Sequence, residues 1–355
     1  MDSKLAKLEY VRGAAAFYVF LGHFLFGYGL HLDKRTFLDF IFRFGQEAVI
    51  IFFLLSGFVI HFSTTKKITT SSLGFKKYFL ARFLRIYPIL FVVFVISYFS
   101  VALRYGYFLN PDYLALLGNI FMLQDFSIGK PNVIVDPYMG NGPLWSLSYE
   151  WWFYMMYYPL VSRFSLSKNN IIIGIVSIIG VATYTYIPNQ LSRFMMYFSI
   201  WWIGVFFADA YMKNIITIKT YAYPFALLFL CTFGLILNAI IHKSSITSVG
   251  IYPILEIRHF SAAIFTLVIS LIWYRLNWVL FDKFFSVFKH ISPFSYALYI
   301  AHVPIIGLPF FDHISEAYGF RYIMMFLSVI LSALFLEKYY HVIITRFVYK
   351  LVYTR

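Results

Sequence analysis

A single cysteine, Cys231, stands in the 355 residues. No intrachain disulfide can form, and a zinc–cysteine cluster is excluded. Cys231 lies within an apolar run and reads as a small buried hydrophobe. Charge is scarce as well. Only 12% of the residues are Asp, Glu, Lys or Arg, about half the share of a soluble domain. The longest polar interval, residues 104–142, still holds the apolar run Tyr113-Leu-Ala-Leu-Leu, so no separate soluble domain can be cut out. There is no repeat of convincing period and no low-complexity tract. No Gly-x-Ser-x-Gly elbow of a serine hydrolase occurs either. Acidic residues are the rarer sign, 15 against 29 basic ones, leaving a net charge of +14. The basic residues fall between apolar runs rather than in a stripe with exposed aromatics, which argues against nucleic acid as a partner.

What the chain has is apolar surface: 61% of residues are hydrophobic and 23% aromatic. A run of about 17–25 apolar residues can cross a bilayer as a helix. Ten such runs are expected, near residues 10–30, 46–63, 84–104, 143–162, 170–188, 194–211, 221–241, 258–275, 292–311 and 321–341. His259, Ser261, His302 and Pro304 interrupt the eighth and ninth. The expected fold is all-α, one polytopic bundle over residues 1–355. Basic residues collect on cytoplasmic loops. Most Lys and Arg share one side if both termini are cytoplasmic, most densely from Lys66 to Arg85, with fewer on the other side, among them Lys34 and Arg35. The first span is expected to be retained, although Gly27-Tyr28-Gly29 has the small residues of a signal-cleavage site. Asn110-Pro-Asp is expected to cap a short helix over 111–123. The segment 105–142 reads as a lid, an acceptor-binding element or a connector.

Arg12 and His23 sit in the first span with ten residues between them. Eleven steps of about 100° are about three turns, so both share one face, roughly 16 Å apart along the axis. An ionisable group at that depth costs a few kcal/mol without a partner or a wet cavity, and it marks a functional site. By span position Glu150 and His302 fall near the height of His23, making a candidate centre. An imidazole there can take the proton of a poor hydroxyl nucleophile. A carboxylate such as Glu150 can orient the imidazole or position the acceptor. His302 can also serve as a helix–helix hydrogen bonder, and Glu150 as a carboxylate favoured near a helix N-terminus. Arg82 and Arg85, three apart where a helix enters the membrane, suit a phosphate or simply anchor the helix. Trp145, Trp151 and Trp152 can stack on sugar rings or form an interfacial aromatic belt.

Five stretches carry a family likeness. They are Arg12 with His23; Phe52-Phe-Leu-Leu-Ser-Gly-Phe-Val-Ile60; Arg82-Phe-Leu-Arg-Ile-Tyr-Pro88; Gly142-Pro-Leu-Trp-Ser-Leu-Ser-Tyr-Glu-Trp-Trp-Phe-Tyr154; and Ser295-Tyr-Ala-Leu-Tyr-Ile-Ala-His302. In this order and spacing the chain resembles the acyltransferase-3 family of integral-membrane O-acyltransferases that modify bacterial surface glycans. The resemblance implies ten spans, acetyl-CoA or another acyl-CoA as cytoplasmic donor substrate, and an acceptor hydroxyl on a glycan or lipid-linked sugar, for example a lipopolysaccharide O-antigen. It makes Arg12 and His23 required, with Arg82, Arg85, Ser56, Gly57 and Glu150 contributing. Trp145, Ser148 and His302 complete the supporting set. Catalysis is expected at His23 and Glu150, and acyl-CoA binding at Arg12, Arg82 and Arg85. No metal and no tightly bound cofactor is expected. One departure is Ile50, where many relatives carry an acid before the paired Phe; Glu47 lies one turn earlier. Some relatives carry a fused extracytoplasmic hydrolase-like domain. This chain runs to Arg355 just past the last span, so transfer is expected to finish in the membrane domain or on a separate protein. The expected location is the bacterial inner membrane. The rival class is a proton-coupled transporter or flippase of a small metabolite or lipid-linked sugar, since such proteins also bury His and Glu.

Overall fold

A computed structural model describes residues 3–33, 36–243, 246, 248–314 and 319–353. Lys34 and Arg35, counted among the loop charges above, lie outside these residues, as does Arg355. Among the described residues the chain is all helix, with no strand and one isolated bridge between Gln124 and Val135. The helices are α1 (Ser3–Gly22), α2 (Phe37–Phe42), α3 (Gly45–Thr69), α4 (Phe75–Tyr105), α5 (Tyr113–Ile120), α6 (Trp145–Arg163) and α7 (Leu166–Tyr186). They continue with α8 (Gln190–Met212), α9 (Ala222–Ile241), α10 (Ile254–Arg275), α11 (Phe281–Phe285), α12 (Ser295–Ile306), α13 (Phe320–Phe335) and α14 (His341–Tyr353). The expected short helix is α5, capped by Asp112 accepting from the Ala115 amide at 2.9 Å.

A helix lies at each of the ten expected runs, and seven helical stretches among the described residues are long and apolar enough to cross a membrane. The three runs that miss that test fall on α1, α6 and α12. The reason is physical. α1 carries Lys7, Glu9 and Arg12, α6 is rich in Ser, Trp and Tyr besides Glu150, and α12 is only 12 residues long. Their polar groups face other helices instead of lipid. α12 is buried at every position but Tyr296 and packs against α1, α4 and α13. The helices least suited to lipid therefore occupy the centre.

One close crossing, between α3 and α8, rests on two glycines. A Cβ on Gly57 of α3 would lie 2.0 Å from the Trp201 carbonyl oxygen of α8. One on Gly204 of α8 would lie 2.0 Å from the Leu54 carbonyl oxygen of α3. Each glycine lets the other helix's backbone approach, as small residues do between membrane helices. Gly57, expected as a supporting site residue, thus acts through packing. Proline leaves the carbonyl four residues earlier without its helical donor. Pro88 frees Leu84, whose oxygen accepts from His341 Nε2 at 2.9 Å. Pro304 frees Ile300, whose oxygen accepts from Asn141 Nδ2 at 2.9 Å. In an apolar bundle such carbonyls need a side-chain donor, and each bond ties a distant segment to a proline-bearing helix.

The α3–α8 crossing yields a direct test. Gly57→Ala forces the two backbones apart and costs about 1–3 kcal/mol. A lowered thermal midpoint and loss of monodisperse protein in detergent are expected, measured by fluorescence-detected size exclusion.

Candidate active site

Two cavities meet in the middle of the bundle. The first, about 290 Å³, is lined by Arg12 of α1, Arg82 and Arg85 of α4, and Ser56, Glu150 and Tyr154. We refer to it as the arginine cavity. The three guanidinium groups that the sequence singled out therefore converge. Arg12 bonds Glu9 one turn earlier, and the Glu9 carboxylate also accepts from Ser292 Oγ at 2.5 Å. Arg85 pairs with Glu337, which also accepts from the Ala297 amide at 3.3 Å. Arg82 lies over the rings of Tyr78 and Tyr154, 5.7 and 5.9 Å from their centroids. Its Nε is buried without a hydrogen-bond partner among the described residues. A buried donor left unsatisfied costs about 1–3 kcal/mol. Arg12 Nε is likewise without a partner among the described residues, but Arg12 already meets the Glu9 carboxylate, so Arg82 is the guanidinium best prepared to receive an anionic oxygen.

The second cavity, about 330 Å³, is lined by His23, Gln46, Tyr28, Phe126, Trp145 and the Asp39–Arg43 ion pair, and we call it the histidine cavity. His23 opens a π-turn, His23–Gly27, at the end of α1. Such turns recur at functional sites because they re-aim a side chain out of helical register. Glu337 occupies a second such turn, Leu336–Tyr340. His23 Nδ1 lies 2.7 Å from His302 Nε2, with the ring planes within 22° of each other and the centroids 5.0 Å apart. His302 is fully buried, and its Nδ1 lies 2.9 Å from the Leu298 carbonyl oxygen. Val49 and Tyr299 line both cavities and form the layer between them. Tyr299 is held by a 3.0 Å hydrogen bond to Ser146.

This geometry corrects one expectation and refines others. Glu150 is not the partner of His23: it accepts from Ser56 Oγ at 2.7 Å and from the Tyr154 hydroxyl. The height estimate put the three polar groups at one level, but it could not say which way α6 turns its faces. Glu150 faces the arginine cavity and His23 the histidine cavity. Ser56 is a true cavity residue through that contact. Ser148 is buried and bonds the Trp145 carbonyl of its own helix at 2.9 Å, a packing role. Of the three tryptophans only Trp145 lines the histidine cavity. Its ring already meets the Lys130 ammonium at 3.8 Å and stacks with His259. Trp151 packs on Tyr87, and Trp152 donates to the Met122 carbonyl oxygen at 2.9 Å. Glu47, weighed as a replacement for the acid absent at Ile50, pairs with Arg258 at 2.5 Å.

Several residues went unread in the sequence. Glu9 stands three positions before Arg12, a helical pairing distance. Glu337 is a carboxylate inside the last apolar run, which by itself marks a functional position. A further buried cluster lies beside the histidine cavity. Asp125 accepts from Lys130 at 2.8 Å, Arg193 at 2.9 Å and Tyr149 at 2.6 Å, all of them buried. His259 lies 2.5 Å from the Tyr197 hydroxyl and 3.0 Å from Gln46 Oε1. The segment joining α5 and α6 is therefore pinned to the bundle and places Phe126 in the cavity wall. Among the described residues no three His, Cys, Asp or Glu side chains gather as a metal ion would require.

A family comparison settles the class of chemistry. The acyltransferase-3 model, described as an acyltransferase domain, matches residues 5–337. The chain belongs to the acyltransferase-3 family. No curated protein and no solved structure matches it. This acyltransferase is thus a multi-pass membrane protein of the O-acyl-transferring class, and the transporter or flippase weighed from the sequence gains no support. The match includes Arg12, Arg82 and Arg85 of the arginine cavity and His23 of the histidine cavity, while His341, which also lines the arginine cavity, lies just beyond it.

The Asp125 cluster predicts a strong stability effect. Burial pushes the Asp125 carboxyl up, but Lys130 and Arg193 outweigh it and hold the carboxyl below its usual range. Its stabilisation is present at neutral pH and is lost only as pH falls below the ordinary carboxylate range. Asp125→Ala leaves two buried cations uncompensated and should cost about 3–5 kcal/mol, read as a large drop in thermal midpoint in detergent.

Proposed function

We propose that this acyltransferase carries an acetyl group from acetyl-CoA to a hydroxyl of a bacterial cell-surface or lipid-linked carbohydrate, working in the inner membrane. In this reading ten helices cross the bilayer, both termini are cytoplasmic, and the membrane domain acts as one unit. The observation that carries it is the pair of cavities backed against each other. One is lined by three guanidinium groups and the other by an imidazole, with Val49 and Tyr299 between.

The arginine cavity suits the anionic end of the donor. Guanidinium groups bind phosphate through paired N–H donors, and Arg82 brings an unpartnered buried N–H to that wall. Arg12 and Arg85 are held in place by Glu9 and Glu337. Glu150, with the Ser56 and Tyr154 hydroxyls it holds, borders the donor rather than the base. The acceptor hydroxyl belongs in the histidine cavity, where His23 acts as general base. Its proton passes to the imidazole as the acceptor oxygen bonds to the acyl carbon. The carbon–sulfur bond then breaks, and the proton goes on to the departing thiolate, so charge and atoms balance.

The division of labour between the cavities is testable with purified protein and labelled acetyl-CoA. General-base catalysis contributes about 10²–10⁴-fold, so His23→Ala should lose that much in kcat with little change in donor KM. A lost charge-assisted hydrogen bond is worth about 1.5–3 kcal/mol. Arg82→Ala should therefore raise the donor KM about 10- to 100-fold with kcat largely kept. Unchanged turnover in His23→Ala removes the base, and an unchanged KM in Arg82→Ala removes the donor site.

A further inference from the structure

We propose that His302 is a positioning residue: it fixes His23 in the tautomer whose Nε2 is free to take a proton. The inference deepens the reading above, since it rests on His23 being the base. Its support is a chain of two hydrogen bonds whose direction is forced at one end. His302 Nδ1 lies 2.9 Å from the Leu298 carbonyl oxygen. A carbonyl oxygen only accepts, so Nδ1 carries the hydrogen. A neutral imidazole has one N–H, which leaves His302 Nε2 with a lone pair. That atom is 2.7 Å from His23 Nδ1, so His23 donates, and its own Nε2 is bare. His23 lines the histidine cavity, so the bare nitrogen belongs to the ring that meets the acceptor.

The surroundings favour this assignment. His302 is 0% exposed, with Phe20 edge-on to it at 6.0 Å, so no bulk water competes for either ring nitrogen. Which nitrogen of a base is protonated is set by the bond the other nitrogen makes. In serine hydrolases a carboxylate makes that bond. Here a neutral imidazole makes it, with no net charge placed among apolar helices, where a lone carboxylate would be costly. When His23 Nε2 accepts the hydroxyl proton, the new charge is shared across the Nδ1–H···Nε2 bond to His302. The α12 backbone thereby dictates the chemistry of a residue on α1.

A simple interhelical contact would need only some hydrogen bond between α1 and α12, in either direction. The test must therefore read the tautomer. In wild-type protein with ¹⁵N-labelled histidine, the His23 resonances are assigned by their loss in His23→Ala. The expected spectrum shows Nδ1 protonated and Nε2 bare. The reverse tautomer in the wild type overturns the proposal without any variant having to fold. In turnover with labelled acetyl-CoA, His302→Leu should lose about 10²-fold or more in kcat, with donor KM within about twofold. His302→Gln, whose side-chain oxygen can accept from His23 Nδ1, should recover most of that loss. Full kcat in His302→Leu alongside an inactive His23→Ala overturns this inference alone. Full kcat in His23→Ala overturns the base reading beneath it.

Discussion

An ionisable side chain inside an apolar bundle has no water to fall back on, and this constraint arranges the centre of the protein. Arg85 is met by Glu337, Arg12 by Glu9, Asp125 by Lys130 and Arg193, and His23 by His302. Each pair joins two segments far apart in the chain, apart from Arg12 with Glu9 and Asp125 with Lys130. The helices bearing these groups are drawn inward. α12 has become a short helix enclosed on all sides, and α1 runs past both cavities. Even the proline carbonyls of Leu84 and Ile300 are met by side chains from elsewhere. The polar interior is an inner framework as much as a site.

That framework separates two kinds of chemistry. Three arginines, two of them paired with carboxylates, line one cavity, and His23 lines the other beside the Asp39–Arg43 ion pair. In the proposed reading, a charged donor and an uncharged hydroxyl acceptor ask for those different surroundings. Keeping the two apart by Val49 and Tyr299 lets each wall be built for its own partner. In that reading, the cost is that the acyl group has to pass between them. The Ser146–Tyr299 bond sits at that point, so the partition is itself an ordered part of the bundle.

Much of this was legible in the residues. The ten apolar runs located helices, because a helix that crosses lipid must be long and apolar. The spacing of Arg12 and His23 placed both on one helix, and the three guanidinium groups do share a cavity. Span heights brought His23 and His302 together correctly, since both lie deep in their helices. The same estimate joined Glu150 to His23 wrongly. Depth follows from counting residues, but azimuth depends on how α6 is rotated against α3 and α4, and counting does not contain it. Gly57 and Ser148 stood in the motif stretches for packing reasons that only neighbouring helices reveal.

The chain by itself determined that this is a helical membrane protein of a particular acyltransferase family, because composition, run length and motif order are one-dimensional properties. The tertiary structure alone decided that His302 and not Glu150 holds His23, and that Glu9 and Glu337 hold the arginines. It also placed the segment after α5 in a cavity wall. Those are matters of direction and partner, and a side chain in an apolar interior takes its partner from whichever helix the packing turns toward it.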